Sequence, residues 1–283
     1  MATETEEEGI DRIDTVYLLG AGCVNGAWPL VLRAASRYAE TTLDKDDSDW
    51  WFTATTQYLH FISGWRSLQD DQLRGRFGDG DHNSSRRALS AQHKIDAEKH
   101  AALQKAIADE LYAAHERNEL SLKEPLLELL AVHAGEGSTA ILTTNWDLCL
   151  EKLLDQPGEK AKVVHLHGDI RKPTGMLLPG ERLEELFREE ADNATITHAY
   201  WTASLMFERA RRIYVAGLSL SLLDAAVGTL LGMGCSKRLP GEIFVVNLRG
   251  ESERIARKVQ LLVPAGWKIS LLHGKDGATP GIK

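Results

Sequence analysis

Two polar segments of the chain, each directly after a pair of branched apolar residues, contain side chains that can bind a small molecule and move a proton. They are Thr143–Asp147 (TTNWD) and His165–Gly168 (HLHG). Asn145 offers an amide donor and acceptor, Asp147 a carboxylate acceptor, and His167 an imidazole that titrates near neutral pH. The apolar runs predict buried strands, and open α/β sheets bind ligands at the carboxyl ends of their strands. We therefore predict that both segments border one pocket. Combined with the glycine turn that follows the first apolar run, they indicate a nucleotide as the ligand and chemistry performed on it.

A glycine turn after the first apolar run is the candidate phosphate site. Gly20, Ala21 and Gly22 follow the run Thr15–Leu19, and Gly26 lies four residues further on. In such turns the backbone can approach a diphosphate closely, and the next helix supplies N–H donors. The spacing is one residue longer than the common dinucleotide fingerprint, and the acidic ribose ligand expected after a second strand is missing. The alternative interpretation is a tight strand-to-helix turn.

Two later strand ends carry residues suited to phosphate or ribose. Gly217 and Ser219 follow one apolar run and precede a helical pattern, and Asn247 ends another run. Each is ordinary when taken alone. The predicted pocket depends on the coincidence of five strand ends that all carry a glycine or a polar side chain.

The polar residues also have structural interpretations. Thr144, Asn145 and Asp147 stand where helix caps occur, and capping is the main alternative for Thr144. His165 and His167 share one face if their strand continues, because side chains alternate along a strand. Since no Cys, Asp or Glu cluster completes a ligand set, we predict no metal site and give His165 a supporting or structural role.

Six short apolar runs predict the strands that position these residues, at about 15–19, 140–143, 162–166, 213–216, 243–247 and 268–272. Helical patterns separate most of them. This alternation predicts an α/β fold, a Rossmann-like parallel sheet of about six strands with helices on both faces. Between the first two runs the pattern is helical without a convincing strand, which predicts a helical insertion after the first strand–helix unit. The predicted division is an acidic tail at 1–12, the sheet domain at 13–40 and 138–283, and the insertion at 41–137.

Composition limits the classes of function. The 283 residues carry a net charge of −8, which argues against direct nucleic-acid binding. No apolar run is long enough to cross a bilayer and the acidic start lacks a signal-peptide core, so we expect no membrane association and a cytoplasmic location. Cys23, Cys149 and Cys235 are far apart and form no CxxC pair, which argues against a zinc ribbon or a disulfide framework.

The ordered set of motifs resembles that of the sirtuin-like NAD-binding family. The glycine turn is similar to the family's GAG element. Thr143–Asp147 is similar to its TQN-x-D segment, with Thr144 in the place of glutamine, and LHG to its catalytic-histidine element. AGLSLS is similar to its GTSL segment and VNL to its ribose-contacting asparagine. The resemblance covers about 13–40 and 138–272 but not the insertion.

The resemblance implies that NAD is bound, as a substrate, and it assigns roles by position. Asn145 and Asp147 would hold the nicotinamide end, with His167 as the general base. The resemblance further implies Gly20, Ala21 and Gly22 at the diphosphate. It implies Gly217, Ser219 and Asn247 at phosphate and the adenosine ribose. Thr143 and Thr144 are also implied as cofactor-binding residues.

Sequence motifs of the family that are missing from this chain indicate which of the family's activities to expect. Protein deacylases of the family carry a four-cysteine zinc module, which three cysteines cannot build. The family's GIPDFR stretch is also missing after the glycine turn. The sequence is closer to the bacterial sirtuin-like branch that hydrolyses NAD, often as an effector of antiphage defence. The resemblance thus implies a zinc-free NAD+ glycohydrolase that releases nicotinamide and ADP-ribose.

An active NAD hydrolase would be toxic, so we expect regulation. The branch implies a homo-oligomer and a defence-system partner, such as a translocase-type ATPase or an Argonaute-like protein. One alternative is a non-catalytic sensor in which NAD or an ADP-ribose derivative gates oligomer or partner assembly. Another is a zinc-free deacylase or ADP-ribosyltransferase, which needs a peptide groove that nothing in the insertion identifies.

Overall fold

A computed structural model of the protein describes residues 13–43, 83–133, 138–154, 161–179, 181, 183, 188–220, 225–247 and 252–273, with the backbone alone at 39–43, 83–97, 125, 247 and 273. The predicted acidic tail at 1–12 and residues 44–82 of the predicted insertion lie outside the described residues.

Six parallel strands form the central sheet, and their bounds agree closely with the six predicted runs. They are β1 (Thr15–Leu19), β4 (Thr139–Thr143), β5 (Lys162–His165), β6 (Arg212–Ala216), β7 (Glu242–Asn247) and β8 (Lys268–His273). Every residue of β1 and β4 is buried. Such continuous apolar runs are typical of strands that helices cover on both faces.

The strand order explains where a ligand would bind. It runs β5-β4-β1-β6-β7-β8, and all five pairings are parallel. The chain thus builds outward from β1 in one direction and then returns to add β6 on the other side of it. A crevice opens at the carboxyl ends of the strands where the order reverses, which is where doubly wound sheets bind ligands. The α/β, Rossmann-like prediction is confirmed.

Helices pack on both faces of this sheet. The described helices are α1 (Ala27–Leu43), α2 (Asn83–Glu116), α3 (Glu124–His133), α4 (Cys149–Leu154), α5 (Glu190–Arg209), α6 (Ala225–Ser236) and α7 (Ser252–Leu262). Residues of α1 to α4 share one apolar core with one face of the sheet. Residues of α5 to α7 form a second core on the opposite face. Among the helices of the described ranges, none is long and apolar enough to span a membrane.

Part of the predicted insertion packs directly on the sheet. Leu103 and Ile107 of α2 and Leu126 of α3 are completely buried, in the same core as Tyr17 and Ile141 of the sheet. Burial of this kind contributes about 1.5–3 kcal/mol for each large apolar side chain. The two helices therefore help to stabilise the sheet. The predicted domain boundaries at 41 and 137 stay a prediction.

One local feature differs from the sequence interpretation. The strand β2 (Val24–Asn25) pairs antiparallel with β3 (Ser121–Leu122), inside the segment where we expected no strand. Two residues are too short for a periodic signal, so the pattern could not reveal this ribbon. A 3-10 turn at Ala21–Cys23 and the strand β2 lie between β1 and α1, and α1 begins at Ala27, next to the Gly26 at which the helical pattern starts.

Candidate functional site

A cavity of about 520 Å³ lies at the carboxyl ends of the central strands. Its volume falls within the range of small-molecule and cofactor sites, about 300–1,000 Å³. Its walls come from the loops after β1, β4, β5 and β6, from α1, α2 and α5, and from the segment between β5 and α5. It therefore occupies the crevice where the strand order reverses.

Most of the site residues predicted from the sequence line this one cavity. They are Ala21, Gly22, Thr144, Asn145, Asp147, His167, Gly217 and Ser219. Gly20 and Thr143 are not among the lining residues. Thr143 is fully buried, and the side chain of Asn247 lies outside the described residues.

Backbone hydrogen bonds extend the sheet into the loops and bring the two polar segments together. The Thr144 N–H donates to the Leu19 carbonyl (2.9 Å), and the Leu166 N–H donates to the Thr143 carbonyl (2.8 Å). The Ile170 N–H then reaches the Trp146 carbonyl (3.0 Å). TTNWD and HLHG therefore lie side by side, as expected for the ends of neighbouring parallel strands.

Asn145 is held rigidly by its backbone while part of its side chain is left unsatisfied. Its N–H donates to Thr143 Oγ1 (3.0 Å), and its carbonyl lies 2.8 Å from His165 Nδ1. The residue is only 5% exposed, yet its Oδ1 has no hydrogen-bond partner among the described residues. A buried polar atom without a partner costs about 1–3 kcal/mol. Because Asn145 lines the cavity, a bound ligand is the natural source of that missing bond.

His165 supports Asn145 from behind. The strand ends at His165, so the side-chain alternation does not extend to His167 and the two imidazoles have different neighbours. His165 Nε2 lies 2.8 Å from Glu151 Oε1 while Nδ1 faces the Asn145 carbonyl. Burial opposes the charged imidazolium, but the hydrogen bond and charge of Glu151 outweigh it, so the pKa of His165 is raised. This is the supporting role predicted for His165.

His167 borders the cavity, and its ring is oriented from α5. Its Nε2 lies 3.2 Å from the Tyr200 hydroxyl, and its carbonyl accepts the Leu177 N–H (2.8 Å). Gly168 follows with φ of +68°, and a Cβ there would lie 2.2 Å from the Gly175 carbonyl oxygen. Only glycine satisfies both constraints, so this residue fixes the turn that presents the imidazole.

Asp147 has a structural role beside its place at the cavity. Its Oδ1 accepts the Cys149 N–H (3.1 Å), which caps the first turn of α4. Burial raises the pKa of this carboxyl, and the hydrogen bonds from Cys149 only partly offset that effect. The capping interpretation is thus correct for Asp147. It is wrong for Thr144, whose hydroxyl instead donates to the Leu19 carbonyl (3.4 Å).

Most N–H groups of the glycine turn are hydrogen-bonded within the protein. The Gly20 N–H donates to the Ala216 carbonyl and the Gly22 N–H to the Gly217 carbonyl, each at 2.9 Å. Gly217 has φ of +63°, and a Cβ there would lie 2.4 Å from the Cys23 nitrogen. Close packing of the two loops therefore accounts for glycine at this position. The Gly20 and Gly22 N–H groups are not available to a diphosphate.

Several wall residues had no signal in the sequence. Tyr200 lies on α5, 33 residues after His167, and nothing in its helix marked it. Trp28 of α1, Leu111 of α2 and the apolar segment around Leu178 complete the wall. These positions depend on tertiary packing, which local patterns do not encode.

The charges around the cavity are unevenly distributed. Its lining includes the acidic residues Asp147 and Glu181 together with His167, and among the described lining residues there is no Lys or Arg. A diphosphate bound here would therefore rely on backbone N–H groups and helix termini rather than on a cationic side chain. No group of three or more His, Cys, Asp or Glu side chains suited to a metal ion occurs within the described part of the chain.

Comparisons with protein-family models, with curated proteins and with solved structures return no match for this chain. The resemblance to sirtuin-like proteins therefore stays at the level of ordered motifs.

Proposed function

We propose that the protein is an NAD+ glycohydrolase that cleaves the bond between nicotinamide and ribose. The observation that supports this most is the pairing of Asn145 and His167 on one cavity at the reversal of the strand order, with Asn145 Oδ1 buried and unsatisfied among the described residues. An amide oxygen without a partner among the described residues and an imidazole able to accept a proton are the two groups that this hydrolysis needs.

The reaction requires little acid catalysis. Nicotinamide leaves from a cationic pyridinium and departs as a neutral molecule with the electron pair of the C1′–N bond. A water oxygen then bonds to C1′ of the oxocarbenium-like ribose and loses one proton. The products are nicotinamide, ADP-ribose and that proton. The main tasks of the protein are therefore positioning and electrostatic stabilisation.

In this proposal His167 accepts the proton from water and Asn145 orients the water or the ribose hydroxyls. Tyr200 holds the imidazole in place through its hydroxyl, 3.2 Å from Nε2. General-base catalysis of this kind contributes about 10²- to 10⁴-fold to the rate. Asp147 borders the nicotinamide end, where its capping bond to α4 keeps the carboxylate in one orientation.

The remaining contacts of the substrate follow from what the walls offer. We assign the diphosphate to Ala21 and to the first turn of α1, which also lines the cavity, rather than to the Gly20 and Gly22 N–H groups. Gly217 and Ser219 lie where the adenosine side would bind. Trp28 and Trp146 provide flat apolar surfaces suited to a base.

The family resemblance also suggests a role for this activity in the cell. Within it, the protein is a regulated effector of bacterial antiphage defence that acts as a homo-oligomer with a partner protein. The geometry of the cavity bears on the chemistry alone, so this wider role depends on the family resemblance.

The test is a direct assay of the purified chain with NAD+, followed by chromatography of nicotinamide and ADP-ribose. It should be run at low and at high protein concentration, because assembly is the expected switch. Release of both products in equal amounts supports the proposal. Tight binding of NAD+ by calorimetry with no nicotinamide at any concentration would favour the non-catalytic sensor instead.

A further inference from the structure

One face of α2 reaches the wall of the cavity through buried polar side chains. His100 and Gln104 lie one helical turn apart and are 4% and 2% exposed. Polar side chains buried this deeply are normally retained only where they make specific hydrogen bonds. Both point to the segment between β5 and α5 that forms one wall of the cavity.

Gln104 is linked to the loop of His167 by two consecutive hydrogen bonds. Its Nε2 donates to the Met176 carbonyl (2.6 Å). The next residue, Leu177, donates its N–H to the His167 carbonyl (2.8 Å). A displacement of α2 would therefore move the backbone that fixes the position of the imidazole.

His100 holds the same wall at a second point. Its Nε2 contacts Glu181 Oε1, and the other carboxylate oxygen of Glu181 is paired with Arg188 Nη2. Arg188 also donates to the Leu183 carbonyl (3.1 Å) and to Asn193 Oδ1 (3.0 Å). Glu181 and Leu183 both line the cavity. This buried network ties the wall to α2 on one side and to the start of α5 on the other.

We propose that His100 and Gln104 are positioning residues, through which α2 sets the geometry of the cavity wall and of the His167 loop. The effect on catalysis rests on the proposed NAD+ hydrolysis, but the positioning itself does not. The described part of the insertion then has a function beyond packing, because a contact that shifts α2 would act on the site through these two side chains as well as through Leu111, which lines the cavity directly.

Apolar packing alone would not produce this arrangement. Leucine or methionine at position 104 would fill the same space but would leave the Met176 carbonyl without its donor. Because that carbonyl adjoins the N–H that holds His167, the loss acts on the loop locally. The variant Gln104→Met keeps a similar length and volume and replaces the amide that donates to Met176, so it tests the proposed link.

The test measures amide hydrogen exchange in the full chain for the wild type, Gln104→Met and the control Lys105→Ala. Lys105 is the next residue on α2, and its side chain is 68% exposed and paired with Asp109 on the same helix. We expect the amides from Leu166 to Leu178 to exchange roughly tenfold faster in Gln104→Met. The control should match the wild type.

A second variant, His100→Asn, keeps the test decisive if Gln104→Met folds poorly. It should accelerate exchange near Glu181 and leave the strand β7 unchanged. Unaltered exchange at the wall in a folded variant of either position would overturn the positioning role. If wild-type chain proves to have no NAD+ hydrolysis, this readout still decides the matter, because it needs no substrate.

Where the wild type does hydrolyse NAD+, the kinetics of the same variants distinguish positioning of His167 from binding of the substrate. Misplacement of a reacting group lowers the rate by about 10- to 100-fold. We expect Gln104→Met to reduce kcat by that factor with little change in KM. A rise in KM alone would contradict the proposal, because it would mean that the wall binds substrate without positioning His167.

Discussion

The shape of this site is set mainly by steric constraints and hydrogen bonds at single residues. Gly168 and Gly217 are held at positive φ with backbone atoms of a neighbouring loop in the space of a Cβ. Asn145 and His165 bind one another through a backbone carbonyl and a ring nitrogen. The polar groups at the cavity are therefore arranged by short-range sterics and hydrogen bonds, which a point substitution can test.

Gly168→Ala should destabilise the protein. The left-handed conformation costs a residue with a Cβ about 1–2 kcal/mol, and the contact with the Gly175 carbonyl at 2.2 Å adds to this. The measurement is the free energy of unfolding in urea. Gly175→Ala is the matched control, because a Cβ there would meet its nearest neighbour at an ordinary 3.9 Å. Equal stability of the two variants would disprove the account of this turn.

The pair His165–Glu151 should make stability depend on pH. The pKa of His165 is raised, so its contribution is complete below its ordinary value of 6.5 and is lost as pH rises through the raised value. The pKa of Glu151 is lowered, so its contribution is lost as pH falls from 4.5 through the lowered value. The pair therefore stabilises most between these two ordinary values.

The variant His165→Gln tests that pH dependence. As pH rises from below 6.5 through the raised pKa of His165, the wild type should lose more unfolding free energy than the variant does. The exposed His198 is the control position, and His198→Gln should lose as much as the wild type. A wild-type profile parallel to that of His165→Gln would show that the pair does not act as described.

At the scale of elements, helix α4 and the segment after β5 carry both structural and site residues. The Asp147 cap shows the overlap most clearly, since one carboxylate serves the first turn of α4 and borders the cavity. Its two roles are separable by substitution, because asparagine caps a helix nearly as well as aspartate while carrying no charge.

Asp147→Ala should lower the free energy of unfolding by about 1 kcal/mol, and Asp147→Asn should leave it nearly unchanged. If the carboxylate also acts on the nicotinamide end, Asp147→Asn should reduce nicotinamide release despite its normal stability. Denaturant unfolding and the release assay measure the two effects separately. Equal destabilisation by both variants would contradict the role of Asp147 as the helix cap of α4.

The sequence predicted the elements well because their signals are local. The apolar runs of β1 and β4 are fully buried strands, and the loops that follow them meet at one cavity. The ribbon of β2 and β3 and the wall residue Tyr200 were missed, since two-residue strands carry no period and long-range neighbours leave no mark on sequence spacing. The glycine turn was placed correctly, but its Gly20 and Gly22 N–H groups are bonded within the protein.

At the scale of the whole molecule, the doubly wound sheet places the loops after β1, β4, β5 and β6 around one crevice, and α2 closes part of it. The fold class follows from the alternation of strands and helices. The chemistry does not follow from the fold, because the same architecture hosts many activities. The proposed function therefore depends on Asn145 and His167.

The most direct measurement is nicotinamide release from NAD+ by the wild type and by Asn145→Ala, His167→Ala and the exposed control His198→Ala, with NAD+ binding measured by calorimetry. We predict equimolar nicotinamide and ADP-ribose from the wild type and the control. Release should fall by about 100-fold or more in each site variant, with circular dichroism preserved and NAD+ binding still detectable by calorimetry. Full turnover by both folded site variants would contradict the account.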